Sequence, residues 1–489
     1  MVEQIKNSMK EKIKRLIELP YVLKFFLVFS SFFGVLMIKR IPPLQAPDEI
    51  GHYVKAEAFS DFKIRPREKS STSSKKGNST WGEYGFKVSS EIYKMNEYAN
   101  QTQGKESKPP YQIKEKNIAE KMFIGTGGIT NYSFINYIPQ LIGIQIGKLF
   151  QKNYVWQYYS ARVFNLIFYI FIVFFALKIF PFSKWGAAIL ALNPMALFLT
   201  SSVSGDGMII SGSFFFTSWM LKLISEAKIT DRQMLVSALM MVSLVLMKPT
   251  LIVLGILFFL IPNKTLDLKR KGIWGIGIFL TSILLYVSWN KLMIDQQLLY
   301  RDFANPEAQV KAFLNNPQIF FVNFFENYLF GIKGDGIIYS FVGNFGWLDT
   351  PLGWHWVIIY FISLTIGCLV QQEGDHSLLI LQRVLMILGI VAYIFLTFFA
   401  LYQIWNKVNR KSSIEGVQGR YFIPGSLLIV PLFSSKEKIL SLSNKKINMI
   451  LSLCMLTVLL ATMITLNNRY IESLICGSFF NYFDTQSIF

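Results

Sequence analysis

Two adjacent carboxylates, Asp48 and Glu49, stand in the segment Pro47-Asp48-Glu49-Ile50-Gly51-His52, a few residues beyond a hydrophobic run at 21–38. Charge is expensive near hydrocarbon, so a carboxylate pair at a membrane exit is a candidate site. Such a carboxylate can take the proton of an acceptor hydroxyl or hold a divalent cation. The competing reading is structural, because an Asp directly before Glu-Ile-Gly-His suits a helix N-cap. His52 falls one turn beyond Asp48, on the same helical face. Only three His occur, at 52, 355 and 376, which weighs against a multi-His metal site.

Asp206 follows the small-residue run Ser201-Ser202-Val203-Ser204-Gly205, where backbones or a ligand can approach closely. It is a second candidate carboxylate, with helix capping as the alternative. With His52 it forms the candidate second acidic site, where a divalent cation such as Mg or Mn could sit. Lys248 interrupts an apolar stretch at Met247-Lys248-Pro249, so it either snorkels to the interface or meets an anion. Arg420 lies in Gly416-Val417-Gln418-Gly419-Arg420-Tyr421. Its planar fork of donors suits a lipid phosphate, or a headgroup anchor beside an aromatic belt. Trp347 and Asp349 in one loop, and Gln418 and Tyr421 in another, mark candidate acceptor or substrate loops.

The elements that must position these residues are membrane helices. Of 489 residues, 52% are hydrophobic and 16% charged, against about 25% charged in soluble domains. Apolar runs alternate with short basic clusters, as in polytopic helical proteins whose spans need roughly 20 apolar residues. The net charge of +19 is carried by those clusters; this is positive-inside patterning and argues against a nucleic-acid partner. The three cysteines, at 368, 454 and 476, lack metal spacing and read as small buried hydrophobes. No GxxxxGK[ST] phosphate loop occurs.

Charge then sets the topology. A cytoplasmic N-terminus at 1–20, rich in Lys, precedes the first helix at 21–38, which lacks a cleavage motif and reads as an anchor. A large external loop at 39–161 carries the acidic motif, a Ser/Lys-rich stretch at 63–80, and an amphipathic segment at 132–150 expected to lie at the interface. Spans follow at 162–180, 185–203, 208–224, 233–247, 249–261 and 272–289. A second external loop covers 290–353. Spans at 354–370, 384–402, 422–433 and 447–466, and an external tail at 467–489, complete the chain. The expected fold is therefore an all-α integral membrane protein of about eleven transmembrane helices, with interfacial helices in the first external loop. On this topology Asp48, Glu49, His52, Asp206, Lys248, Asp349 and Arg420 share one side of the membrane.

The motifs PDEIGH, NPMALFLTSSVSGDG, MKPT, GWLDT and GVQGRYFIP, in this order, resemble a bacterial family of multi-pass predicted membrane proteins of unknown function. That family is in turn similar to the GT-C glycosyltransferases. The resemblance implies a GT-C-like fold, a polyprenyl-phosphate-linked sugar as donor, and an envelope glycopolymer or glycolipid as acceptor. It implies a first-loop catalytic role for Asp48 with Glu49 beside it, and a second acidic site at Asp206. Donor-phosphate binding by Arg420 and Lys248 is a physical assignment. The expected location is the bacterial plasma membrane, with the active site outside the cytoplasm. A lipid-linked polysaccharide polymerase or ligase, and a non-enzymatic glycan or lipid transporter, are the rival readings.

Overall fold

The computed structural model describes residues 18–68, 83–102, 121–150, 154–293, 303–329, 331, 333–370, 376–411, 413–435 and 443–471. The N-terminal basic cluster, most of the Ser/Lys-rich stretch, Cys476 and most of the external tail lie outside the described residues.

The described chain is overwhelmingly helical. Its helices are α1 (Tyr21–Arg40), α2 (Glu49–Ser60), α3 (Ser90–Thr102), α4 (Ile138–Phe150), α5 (Tyr154–Ile179), α6 (Lys184–Ala191), α7 (Pro194–Thr200), α8 (Asp206–Ile224) and α9 (Asp231–Met247). After a 3-10 helix at Pro249–Ile256 come α10 (Leu257–Leu260), α11 (Leu268–Met293), α12 (Pro306–Asn315), α13 (Gln318–Phe324) and α14 (Lys333–Val342). The last are α15 (Trp354–Leu369), α16 (Ile380–Trp405) and α17 (Asn444–Ile471). Among the described residues, strand pairing is confined to a small antiparallel sheet, β1 (Arg67–Glu68), β2 (Tyr84–Ser89) and β3 (Lys121–Gly125), a hairpin of β4 (Asn344–Phe345) with β5 (Thr350–Pro351), and a single bridge between Ala304 and Lys407.

Among the described residues six helices are long and apolar enough to cross a membrane: α1, α5, α8, α11, α16 and α17. They coincide with six of the eleven expected spans. The other five stretches are shorter or broken, and backbone chemistry says why. At 185–203, Asn193 leaves the helical region and Pro194 begins a new helix. The Asn193 side chain accepts from Met195 N at 2.9 Å and Ala196 N at 3.1 Å, so one span becomes two short helices. Pro249 likewise stops α9 and opens a 3-10 helix. Pro431 lies inside the 3-10 stretch Ser426–Phe433. The segment at 233–247 is a 17-residue helix and that at 354–370 a 16-residue one.

The chain nevertheless alternates between two ends. At one end Tyr470 donates to Gln45 O, Arg162 pairs with Glu49, and Trp289 donates to Asn131 O. At the other, Tyr21 meets Ser452, Trp185 donates to Asn448, Arg270 pairs with Asp231, and Gln382 donates to Leu260 O. Cys368 is buried and Cys454 half-buried, neither in a disulfide.

The first loop is a folded layer over the first end. Within it α4 has 13 residues, about 20 Å at 1.5 Å per residue, too short for a hydrocarbon core of roughly 30 Å. Gly143 and Gly147 lie on the backbone of α5: a Cβ at 143 would fall 2.5 Å from Ser160 O, and one at 147 would fall 2.8 Å from Gln157 Cα. This small-xxx-small spacing lets the two helices pack face to face. α2 is buried on almost every side.

Candidate functional site

Three distant segments meet at the first end. Asp48 precedes α2 in a left-handed conformation, φ +59°, which Asp tolerates better than most residues. Its backbone carbonyl accepts from His52 N at 3.2 Å. Its carboxylate does not cap the helix; Oδ2 instead accepts from Arg420 Nη2 at 3.0 Å. Asp206 is the first residue of α8, and Ser204 Oγ accepts its N–H at 3.1 Å. Asp206 Oδ2 accepts from Arg420 Nη1 at 3.2 Å. Gln418 Oε1 takes the remaining edge of the guanidinium, from Nε at 2.6 Å. The Arg420 side chain is only 4% exposed and that of Asp206 12%, whereas that of Asp48 is 46% exposed. Asp48 is thus the member of the cluster that an incoming molecule can reach.

The glycines of GVQGRYF have identifiable work. Gly416 has φ +86°, which favours glycine. At Gly419 a Cβ would lie 1.9 Å from Ile337 O, and its N–H donates to Ser340 Oγ at 2.6 Å. Only glycine lets this segment press against α14 and aim Arg420 at the two carboxylates.

Lys248 ends α9 in an extended conformation. Its ammonium sits 4.5 Å from the centre of the Tyr421 ring, which also carries Arg420 at 5.2 Å. Among the described residues Lys248 makes no ion pair, so it is a cation held by an aromatic face. Burial lowers its pKa to about 8, while Asp206 works against that shift. Two carboxylates, a guanidinium and an ammonium make a formally neutral cluster.

His52 is buried, and its Nδ1 lies 2.8 Å from the hydroxyl of Tyr137. Burial pushes the ring down to about 4, although Asp206 and Asp48 pull it up and Arg420 and Lys55 push it further down. The unfolded ring titrates near 6.5, so the stability this neutral histidine contributes is complete above pH 6.5 and is lost as pH falls from 6.5 through about 4. The difference amounts to about 3 kcal/mol. Thermal unfolding of purified protein is expected to show this decline between pH 7 and 4. The decline should be clearly shallower in His52→Gln; an unchanged slope would refute the assignment.

Glu49 is next to Asp48 in sequence but faces the other way. Its carboxylate is fully buried, with Arg162 donating from Nε and Nη2 at 3.0 Å each, and it also accepts from Ala46 N and Val203 N. Arg162 further donates to the carbonyls of Ile41 and Pro42. Glu49 therefore braces the loop that presents Asp48. Asp349 and Trp347 belong to the β4–β5 hairpin, where Asp349 pairs with Arg469 at 2.8 Å and accepts from Trp347 N. They share no residue with the Arg420 cluster.

Two buried cations that brace the first loop escaped the sequence reading. Arg162 looks like the basic start of a span. Lys55, three residues beyond His52, is wholly buried and donates to the carbonyls of Ile129, Thr130 and Tyr132. It thereby ties the 129–132 turn to α2, and burial lowers its pKa. Its only signal was a lysine in the centre of a helix flanked by Val54 and Ala56.

Among the described residues no three His, Cys, Asp or Glu side chains gather as metal ligands. The two carboxylates that a cation would need are both turned onto Arg420, and His52 Nδ1 is engaged by Tyr137. This donor set does not fit a metal held between them.

The family model described as "Predicted membrane protein (DUF2142)" matches residues 29–429. No curated protein matches the chain.

Proposed function

The chain belongs to the DUF2142 family of predicted membrane proteins, and from that premise we propose that it is a GT-C-like glycosyltransferase of the bacterial plasma membrane. It moves a sugar from a polyprenyl-phosphate donor to an envelope glycopolymer or glycolipid on the extracytoplasmic side. The observation that carries this reading is the union of Asp48, Asp206 and Arg420 at one end of the helices, with the Lys248 ammonium on the shared Tyr421 ring.

In the proposed step, half-exposed Asp48 accepts the proton of an acceptor hydroxyl. The hydroxyl oxygen bonds to the anomeric carbon, the bond from that carbon to the phosphate oxygen breaks, and the electron pair leaves with the lipid phosphate. Negative charge develops on that phosphate, where Lys248 and Arg420 stabilise it. Asp206 holds Arg420 in place. No step passes through a metal. The end opposite the cluster carries Lys178, Lys184, Lys228, Arg232, Lys264 and Lys269, which supports a cytoplasmic assignment for it. The hairpin of Trp347 and Asp349, with Gln418 and Tyr421, is the proposed acceptor side.

The test is the envelope monosaccharide composition of a strain lacking the gene, with and without the wild-type gene restored. Loss of one sugar, recovered on complementation, is the expected result. Purified protein in liposomes should then transfer that sugar from its polyprenyl monophosphate. Transfer only of whole oligosaccharides from a pyrophosphate carrier would overturn the reading in favour of a polymerase or ligase.

A further inference from the structure

The second external loop contains a helical pair, α12 and α13, and the outward face of α13 is the wrong one for water. α13 runs on as a short π-helical turn, Phe325–Leu329. Two of its polar side chains point inward, Asn323 donating to Arg410 O at 2.6 Å and the Tyr328 hydroxyl donating to Ile414 O, while Gln318 and Glu326 are exposed. Its large apolar side chains point outward, with Phe321 40%, Val322 38%, Phe325 43% and Leu329 59% exposed, joined by Leu314 of α12 at 71%. An amphipathic helix beside water presents the opposite arrangement.

Its height along α16 says what covers this face. Arg383 marks one end of that helix, bonded to the carbonyls of Leu378, Leu432 and Ser434. Phe313 of α12 packs on Phe399 at 4.8 Å, and Phe320 and Phe321 of α13 pack on Phe395 at 5.5 and 6.2 Å. At about 1.5 Å per residue, Phe395 and Phe399 stand roughly 18 and 24 Å beyond Arg383, inside a hydrocarbon core of about 30 Å. Val384, Ile387, Leu388 and Val391 of α16 are also exposed, so the apolar face of α13 continues a surface already turned to lipid.

We propose that α13 and the Leu314 end of α12 are seated in the acyl chains of the leaflet nearest the ion cluster, their apolar face covered by phospholipid, with the exposed Glu307–Lys311 pair of α12 left in water. Gln318 at the start of the stripe and Glu326 at its edge reach the headgroups. Insertion of this depth is usual for interfacial amphipathic helices. The inference does not depend on glycosyl transfer. It does give the site a lipid-facing neighbour, since the chain leads from α13 into α14, whose Ser340 accepts the N–H of Gly419 beside Arg420.

The test places an environment-sensitive fluorophore on Phe325→Cys, and on Lys311→Cys of α12 as the exposed control, with Cys368, Cys454 and Cys476 replaced by Ser. Each protein is reconstituted at low density into phosphatidylcholine–phosphatidylglycerol vesicles carrying nitroxide lipids. Quenching at position 325 several-fold stronger than at 311 by lipids labelled high on the chain is expected. Quenching at 325 by aqueous iodide instead would overturn the proposal. Protection from both quenchers would also overturn it, since a second copy or another protein would then cover the face. If the cysteine-replaced chain fails to fold, a benzoylphenylalanine photo-crosslinker at 325 in the otherwise native chain gives the same decision: adducts with lipid support the proposal, and adducts with protein overturn it.

Discussion

Asp48→Asn is expected to lower sugar transfer by about 10²–10⁴-fold, the range over which a positioned general base acts, while the protein still folds and reaches the membrane. The amide keeps the shape of the carboxylate and an oxygen that can accept from Arg420 Nη2. What it lacks is the capacity to take a proton. Asp48 is half-exposed and outside the packed core, so little folding energy rests on it. The measurement is initial transfer rate in proteoliposomes, alongside complementation of the glycan defect. A variant that transfers at the wild-type rate would remove Asp48 from the chemistry, and with it the enzyme reading.

Its neighbour should behave in the opposite manner. Glu49→Ala is expected to destabilise the protein by about 3–5 kcal/mol, the usual cost of leaving a buried charge unpaired. The partner left behind is Arg162, which is fully buried and has no water to turn to. Arg162→Ala should cost a similar amount, because Glu49 would then remain buried with no cation beside it, held by the amides of Ala46 and Val203 and by Tyr158. Replacing both, as Glu49→Gln with Arg162→Met, should recover part of the loss. Thermal unfolding in detergent reads these effects directly. A Glu49→Ala protein as stable as the wild type, but inactive, would show that Glu49 belongs to the chemistry rather than to the brace.

This contrast shows how far residue type carries. Two adjacent carboxylates look equivalent as text. The left-handed backbone at Asp48 sends the first toward Arg420, and the start of α2 sends the second into the packed interior. Only the conformation separates their roles.

Several features were legible because they depend on local chemistry. Twenty-residue apolar runs must bury their backbone groups in helices whatever surrounds them, and six of the spans read from the sequence are such helices. Asp48, Asp206, Lys248 and Arg420 could be gathered on one side because alternation of spans is a counting rule. Among the described residues the other stretches are not single long helices, since Asn193-Pro194 and Pro249 break helices in ways that hydropathy averages away.

What the sequence determined by itself was composition, helical class and the side on which the polar residues collect, all properties that act over one turn or one span. The tertiary structure alone decided which charges meet. Arg420 reaches Asp48 across 372 positions and Asp206 across 214, and Arg162 reaches Glu49 across 113. Pairing over such separations depends on how helices pack and where Gly419 allows close approach, and no local pattern encodes it. The same holds for Lys55 and His52, whose charge states follow from burial that exists only once the first loop has folded over the helices.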